Sequence, residues 1–255
     1  MADFKDYFSS ASDDYKRFRP LYPAALFDYL ANVSPSTALA WDCGCGNGQA
    51  SVELAARFNR VIASDASAAQ IDQAAQAPNL EYKVSPAEIL ATPDASLDLL
   101  TVAQAIHWFD HPRFFAEVDR ALKPGGVLAA WGYQLLYTDT ALDAVVENFH
   151  SNIVGPYWPP ERALLDNGYS RISFPYPRAS CPQESPPEFR MTARWQFSHL
   201  LGYLNTWSAV KQFEKAHGRN PLADVFDVML AAWGDPETAR DIYWPLILYV
   251  GNKPV

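Results

Sequence analysis

Residues 41–51 read WDCGCGNGQAS. Three of the chain's twelve glycines stand here at alternate positions, 44, 46 and 48, and Asp42 comes two residues before the first. Glycine lacks a Cβ, so such a run lets the backbone turn tightly and lets a ligand lie directly against it. Two ligand chemistries compete for a loop of this kind. The dinucleotide fingerprint is G-x-G-x-x-G, whose third glycine lets helix and strand pack closely beside a pyrophosphate. Here that third position is Gln49, and the glycines follow G-x-G-x-G instead. A carboxylate next to a pyrophosphate is unfavourable, whereas a ligand with a cationic amino-acid head gains from one. S-adenosylmethionine carries an ammonium and a sulfonium and no phosphate, and suits this charge pattern better. The C-x-C of Cys43 and Cys45 is a weak metal signal. A site needs two or more further ligands, and His107 and His111 make no convincing second pair, so the expectation is no metal.

The elements that must position this loop follow from periodicity. Residues 37–42 (TALAWD) form a short apolar run that ends at the glycines and predicts a buried strand. Residues 49–58 follow as a helix with Val52, Ala55 and Ala56 on one face. RVIASD is the next strand and ends at Asp65; Ser67 can cap a helix that Pro78 stops. LEYKV and SLDLLTVAQA predict a third and a fourth strand, the latter apolar throughout, as in sheets covered on both faces. Asp110 can cap a helix with Pro112 in its first turn and Phe114, Phe115, Val118, Ala121 and Leu122 as its stripe. KPGG ends it before a fifth strand, GVLAAWGY, and residues 140–150 read as a helix. Such alternation predicts an α/β, doubly wound, mostly parallel sheet. After Gly155 proline disfavours long regular elements; residues 197–217 then read as one long helix, 222–233 as another, and DIYWPLILYV as a closing strand. The expected organisation is an N-terminal lid segment (1–34), a cofactor-binding core (35–155), a substrate-side cap insertion (156–238) and a C-terminal strand completing the core sheet (239–255).

Composition sets the outer limits. With 49% hydrophobic residues the chain of 255 is globular, and a net charge of −9 argues against a nucleic acid, which needs a basic stripe. The N-terminus shows no apolar core behind a basic start, and no apolar run approaches the roughly 20 residues of a membrane span. Three cysteines are too few for a disulfide framework. A cytoplasmic protein without a membrane partner, a monomer or weak homodimer, is expected.

WDCGCGNGQAS, VIASDAS, SPAEILATPDASLDLLTVAQAIHWFD and ALKPGGVLAAW occur in this order. Together they resemble the successive motifs of class I S-adenosylmethionine-dependent methyltransferases of the type 11 group. YKRFRPLYP and EFRMTARWQFSHLLGYLNTWSAVKQFEKAHGRNPL resemble its small-molecule branch of trans-aconitate methyltransferase-like proteins. The resemblance covers nearly the whole chain and implies a Rossmann-like seven-stranded sheet under an α-helical lid, with S-adenosylmethionine as cofactor. It implies that Asp42, Gly44 and Gly46 line the methionine moiety, with the Gly44 carbonyl on the ammonium. Asp65 would accept from the ribose hydroxyls, or else only cap the Ser67 helix. Ala66 would touch adenine and Ala87 offer it an amide; Pro86 stands where many relatives have a polar side chain, and Glu88 either replaces that contact or starts a helix. Gln104 would lie at the methionine end. Arg19 would pair with the cofactor carboxylate and Tyr15 pack beside it, unless both sit on a surface helix.

The acceptor side is less specified. A carboxylate acceptor is already nucleophilic and would need an arginine for its partner carboxylates; Arg113, Arg162, Arg190 and Arg194 are available. A hydroxyl or amine acceptor would benefit from a base, and His107 is placed for one, though a histidine beside Trp108 and Phe109 is often just a packed, hydrogen-bonded ring. Tyr157, Trp158, Trp195 and Trp207 could line an apolar acceptor pocket or form the core of a helical cap. O-methylation of a small-molecule carboxylate or hydroxyl is the favoured activity. An NAD(P)-dependent oxidoreductase and a non-catalytic cofactor-binding protein stay open as alternatives.

Overall fold

The computed structural model describes residues 18–90, 92–178 and 187–255. Seven strands form one sheet in the order β3-β2-β1-β4-β5-β7-β6. They are β1 (Leu39–Cys43), β2 (Arg60–Asp65), β3 (Leu80–Val84), β4 (Leu97–Ala103), β5 (Leu122–Tyr133), β6 (Arg190–Trp195) and β7 (Arg240–Asn252). β1 to β5 pair in parallel, and β7 runs antiparallel to both β5 and β6. The strand order reverses between β1 and β4. The chain leaves those two strands in opposite directions, and their carboxyl ends open a crevice where ligands of such sheets bind.

Both faces of the sheet are covered, and strand alternation assigns the residues. Trp41, Ile62, Leu100, Val102, Leu128 and Ala130 point to one face, under α4 (His111–Ala121) and its Phe114 and Val118. Ala40, Val61, Ala63, Leu99, Val127, Ala129 and Trp131 point to the other. There they meet Leu26, Phe27 and Leu30 of α1 (Ala24–Val33) and Ala50 and Leu54 of α2 (Gln49–Ala55). α3 (Ala68–Asp72) is short and capped by Ser67, whose hydroxyl accepts from the Gln70 amide.

A third cluster lies beyond the β5 end. α5 (Thr140–Asn148), α7 (Phe197–Asn205), α8 (Ser208–His217) and α9 (Phe226–Trp233) pack against Met191 of β6 and Ile242 and Trp244 of β7. The short α6 (Ala163–Asp166) instead gives Leu165 to the first face.

Three expectations shift. The single helix over 197–217 is two, because Trp207 adopts an extended backbone and buries its ring against Phe149, Trp158 and Tyr203. Burying one large ring outweighs continuing the helix. β6 was not expected: its buried Met191 is flanked by more exposed residues, and it falls within the stretch read as the cap. β5 begins at Leu122, ahead of KPGG. Leu97 pairs with Leu122 but Leu99 with Val127, so residues 123–126 bulge out of the ladder.

That bulge is held by one buried carboxylate. Asp98 accepts from the Leu39 amide at 3.0 Å and from Lys123 Nζ at 2.7 Å, joining β1, β4 and β5. Asp98→Ala removes both partners' acceptor inside the fold, and should cost about 3 kcal/mol. The shift of the urea-unfolding midpoint measures it; a change under about 0.5 kcal/mol would mean the Leu39 amide finds another acceptor.

Candidate active site

The glycine loop joins β1 to α2, and it is folded back on β2. The amides of Gly44 and Cys45 both donate to the Ser64 carbonyl, at 2.8 and 3.0 Å. The Gly46 amide donates to Asp65 Oδ2 at 2.8 Å, and that of Gly48 to the Cys45 carbonyl at 3.0 Å. The loop therefore presents few free N–H groups to an anion. The Gly44 carbonyl accepts no hydrogen bond among the described residues.

Glycine is required at two points here. Gly44 has φ +67°, and a Cβ on it would lie 2.8 Å from the Ala105 Cβ and 3.0 Å from Phe109 Cζ. The turns after β1 and β4 thus touch at the crevice. Gly48 has φ +82°, and a Cβ there would come within 2.0 Å of Tyr82 Oη, whose hydroxyl is fixed on the Ala75 carbonyl. Gln49 is tied elsewhere, donating to the Pro20 carbonyl at 2.7 Å and so anchoring the segment before α1.

Asp42 does not face the crevice. Its carboxylate is fully buried and accepts from Ser51 Oγ at 2.5 Å and Thr101 Oγ1 at 2.9 Å. Burial, opposed by these hydroxyls and assisted by nearby Asp65, raises its pKa to about 6. Cys43 and Cys45 are buried free thiols, pushed up by burial and then by Asp42. Among the described residues no group of three His, Cys, Asp or Glu could hold a metal ion.

The other positions divide. Asp65 ends β2; besides Gly46 it accepts from the Ser67 amide at 2.8 Å, so it caps and also fixes the loop. Ala66 beside it is exposed. Ala87 is buried, and its amide makes no hydrogen bond among the described residues. Glu88 Oε1 accepts from the Asp110 amide at 3.0 Å, at the start of α4. Gln104 has φ +55°, uncommon for a side-chain-bearing residue. Three bonds hold it there: its amide to the Trp131 carbonyl at 2.7 Å, and its carboxamide to the Tyr133 carbonyl at 3.0 Å and from the Tyr133 amide at 2.8 Å. Tyr15 lies outside the described residues. Arg19 Nη1 donates to Tyr133 Oη at 2.8 Å, with its guanidinium 5.1 Å from the Tyr203 ring centre.

His107 lies in the 3-10 turn Ile106–Trp108. It is buried, with Tyr169 Oη 3.4 Å from Nδ1 and Trp108 against its ring. Burial, then Arg162 and His111, lowers its pKa to about 3, so it is neutral and weakly basic. Of the four arginines, Arg113 is exposed on α4, while Arg190 and Arg194 sit on the edge strand β6, the latter 3.5 Å from Asp241. Arg162 alone of the four has its side chain mostly covered, and its turn packs against that of His107. Tyr133 and Tyr169 were not singled out from sequence. Tyr133 ends β5 at the same sheet edge as Asp65 and Gln104, which could have marked it; Tyr169 lies in a proline-rich stretch that carries no such signal.

Sheet order, the crevice and the glycine cradle together define a Rossmann-like nucleotide-binding fold of the methyltransferase type. Residues 41–130 match the family of methyltransferase domains named type 11. A Dictyostelium discoideum protein given as a methyltransferase is 34% identical over 98% of this chain and 96% of its own. The trans-aconitate 2-methyltransferase of Deinococcus radiodurans is 37% identical over 46% of each chain. A solved structure from Anaeromyxobacter dehalogenans, given as a type II methyltransferase, is 43% identical with a TM-score of 0.86 over 93% of this chain and 99% of that one. The chain belongs to this family and is an S-adenosylmethionine-dependent methyltransferase. Among the described residues no helix is long and apolar enough to cross a membrane.

Asp42 gives a test of the site's electrostatics. Its native pKa of about 6 lies above the ordinary 3.8, so the native state binds the extra proton between those values. Stability is then greatest below pH 4 for this group and falls as pH rises through 6, by about 3 kcal/mol at 1.36 kcal/mol per unit. Asp42→Asn should flatten this part of the pH–stability profile, read from urea unfolding at pH 4.5 and 7. An unaltered slope would show that another group carries it.

Proposed function

We propose that the protein methylates an oxygen of a small-molecule acceptor held between the sheet's carboxyl edge and the helical cap, with a carboxylate or hydroxyl as the receiving group. The observation that carries the cofactor side is the charge of the cradle. Its amides are taken up by β2, and a buried carboxylate lies beneath it with only hydroxyls as partners. A diphosphate would find few donors and no cation there; a cationic methyl donor is favoured. This is also why an oxidoreductase reading is dropped.

In this reading the Gly44 carbonyl takes the ammonium, and Gly46 lines the same moiety, with Asp42 acting from below through the field of its charge. Asp65 takes the ribose hydroxyls on its remaining lone pairs. Ala66 packs on adenine, and the unbonded Ala87 amide faces the ring, with Glu88 fixed at α4 beside it. Gln104, Arg19 and Tyr15 close over the methionine end. Residues 1–34 and 156–238 act as lid and cap over the core of 35–155, which 239–255 completes.

Bound S-adenosylmethionine supplies an electrophilic methyl group on its sulfonium. The chain's own residues then orient the acceptor and keep water out. His107, neutral and weakly basic, is poorly suited to take a proton from a hydroxyl. A carboxylate oxygen has no proton to lose, so the geometry favours it, with His107 holding Tyr169 and the acceptor's polar edge.

Asp65→Ala should weaken S-adenosylhomocysteine binding by about 1–3 kcal/mol, the scale for losing a charged hydrogen-bond partner. Isothermal calorimetry reads this, and unchanged affinity removes Asp65 from the ribose role. Binding of NADH in preference to S-adenosylhomocysteine by the native chain would overturn the reading as a whole.

A further inference from the structure

Beyond the cofactor cradle, one buried cation stands without matching charge. Arg162 has its side chain 16% exposed, and its guanidinium carbon lies 4.0 Å from the centre of the Trp158 ring. Asp166 is the carboxylate in ion-pair range, its Oδ1 approaching Nε at 3.3 Å without the alignment of a hydrogen bond. Among the described residues no hydrogen bond reaches this side chain at all. A guanidinium has five N–H donors in a fixed fork that suits a carboxylate.

The surroundings of Arg162 are otherwise aromatic, with Arg19 as a second positive charge acting on it. The charge of Arg162 acts on His107, His150, Tyr169, Tyr203 and Tyr133. Burial and Arg162 both lower His107 and His150, so neither adds a further positive charge. Burial lowers Arg162 itself and raises Asp166, so their mutual attraction does not offset the desolvation of either. Trp158 is fixed in turn: its indole donates to the His150 carbonyl at 3.1 Å, and Trp207 packs against it. The place is also right. His107, whose turn packs on that of Arg162, follows two residues after Ala105, which touches Gly44 of the cofactor loop.

We propose that Arg162, held over Trp158, anchors a carboxylate of the methyl acceptor that is not the group methylated, so that the enzyme selects flat-bodied acidic molecules. This rests on the reading of the site as the acceptor pocket. The anchored group keeps its charge through the reaction, because an anion neutralised by methylation would hold the arginine better before transfer than during it, and that opposes catalysis. The planar fork of Arg162 matches a carboxylate, and Arg19 adds a second positive charge that acts on the same place.

The test uses the full-length protein saturated with S-adenosylhomocysteine, with tryptophan fluorescence as the readout. The probes are 4-hydroxybenzoate and its uncharged twin 4-hydroxybenzamide. The acid should bind roughly ten-fold or more tightly than the amide, the scale of a charge-assisted bidentate pair. Arg162→Gln should bring the two within about two-fold, and Arg162→Lys should retain part of the preference. Unchanged S-adenosylhomocysteine affinity in both variants shows that they fold. In the native chain, binding of the acid should also move the His107 and His150 titrations upward by NMR, which a purely structural Arg162 would not produce. Equal binding of acid and amide, no binding of either, or a preference that survives Arg162→Gln overturns the proposal. Failure of the native chain to bind S-adenosylhomocysteine would instead overturn the placing of the cofactor, so the two failures are told apart.

Discussion

The site depends on the carboxyl end of β2. A single carbonyl, that of Ser64, takes two loop amides, and the Asp65 carboxylate takes a third together with the first amide of the following turn. Glycine runs after a first strand are often read as anion nests, because their amides converge outward. Here the same amides converge inward on β2. What the loop turns towards the crevice is carbonyl oxygen, with negative charge below it. The loop is thereby pre-organised before any ligand arrives, and its sign is set by hydrogen-bond direction rather than by the number of charged residues.

The packing that makes this possible is local. β2 can offer a carbonyl and a side chain at its end because its neighbour β1 stops at Cys43, opposite Ser64, and turns into the loop. Gly44 then closes on Ala105 and Gly48 on Tyr82, so the loop is clamped from β4's side and from β3's side. Both clamps exclude a Cβ, which is the physical content of the alternate glycines. Trp41 Nε1 donates to Ser64 Oγ at 2.8 Å, tying the same residue of β2 into the core beneath.

Much of this was legible in the residues. β2 and β3 run where alternation and composition place them, and the Ser67 and Asp110 caps act through their side chains as expected. Each of those features is local, set by a few neighbouring residues. The rest was not, for a common reason: it depends on partners distant in sequence. That Asp42 is fully buried rests in part on Thr101, 59 residues away. β6 exists because β7 pairs with it, not because its sequence alternates strongly. Trp207 breaks a helix that propensity would continue because Phe149 and Trp158 leave a place for its ring. The residues before Phe18, expected to be part of a lid segment, lie outside the described residues, and Tyr15 with them.

Two buried charges of opposite sign then organise the two halves of the pocket. Asp42 sits under the β1 loop, and Arg162 sits at the cap beyond β4 and β5. Each is removed from water, and each has less compensation within the protein than its burial calls for. Such charges weaken the fold they sit in, because desolvation exceeds the attraction available. On the proposed reading of the site, a cationic methyl donor beside Asp42 and an anionic acceptor beside Arg162 compensate them. The overall charge of −9 has no bearing on this, since screening confines exposed charges to within about 10 Å of themselves. An acidic protein can thus carry a buried positive charge beyond β4 and β5 and a buried negative one under the β1 loop. On that reading the two ligands attract each other across the crevice, and the attraction helps bring the acceptor towards the sulfonium while the fold keeps each in its own half.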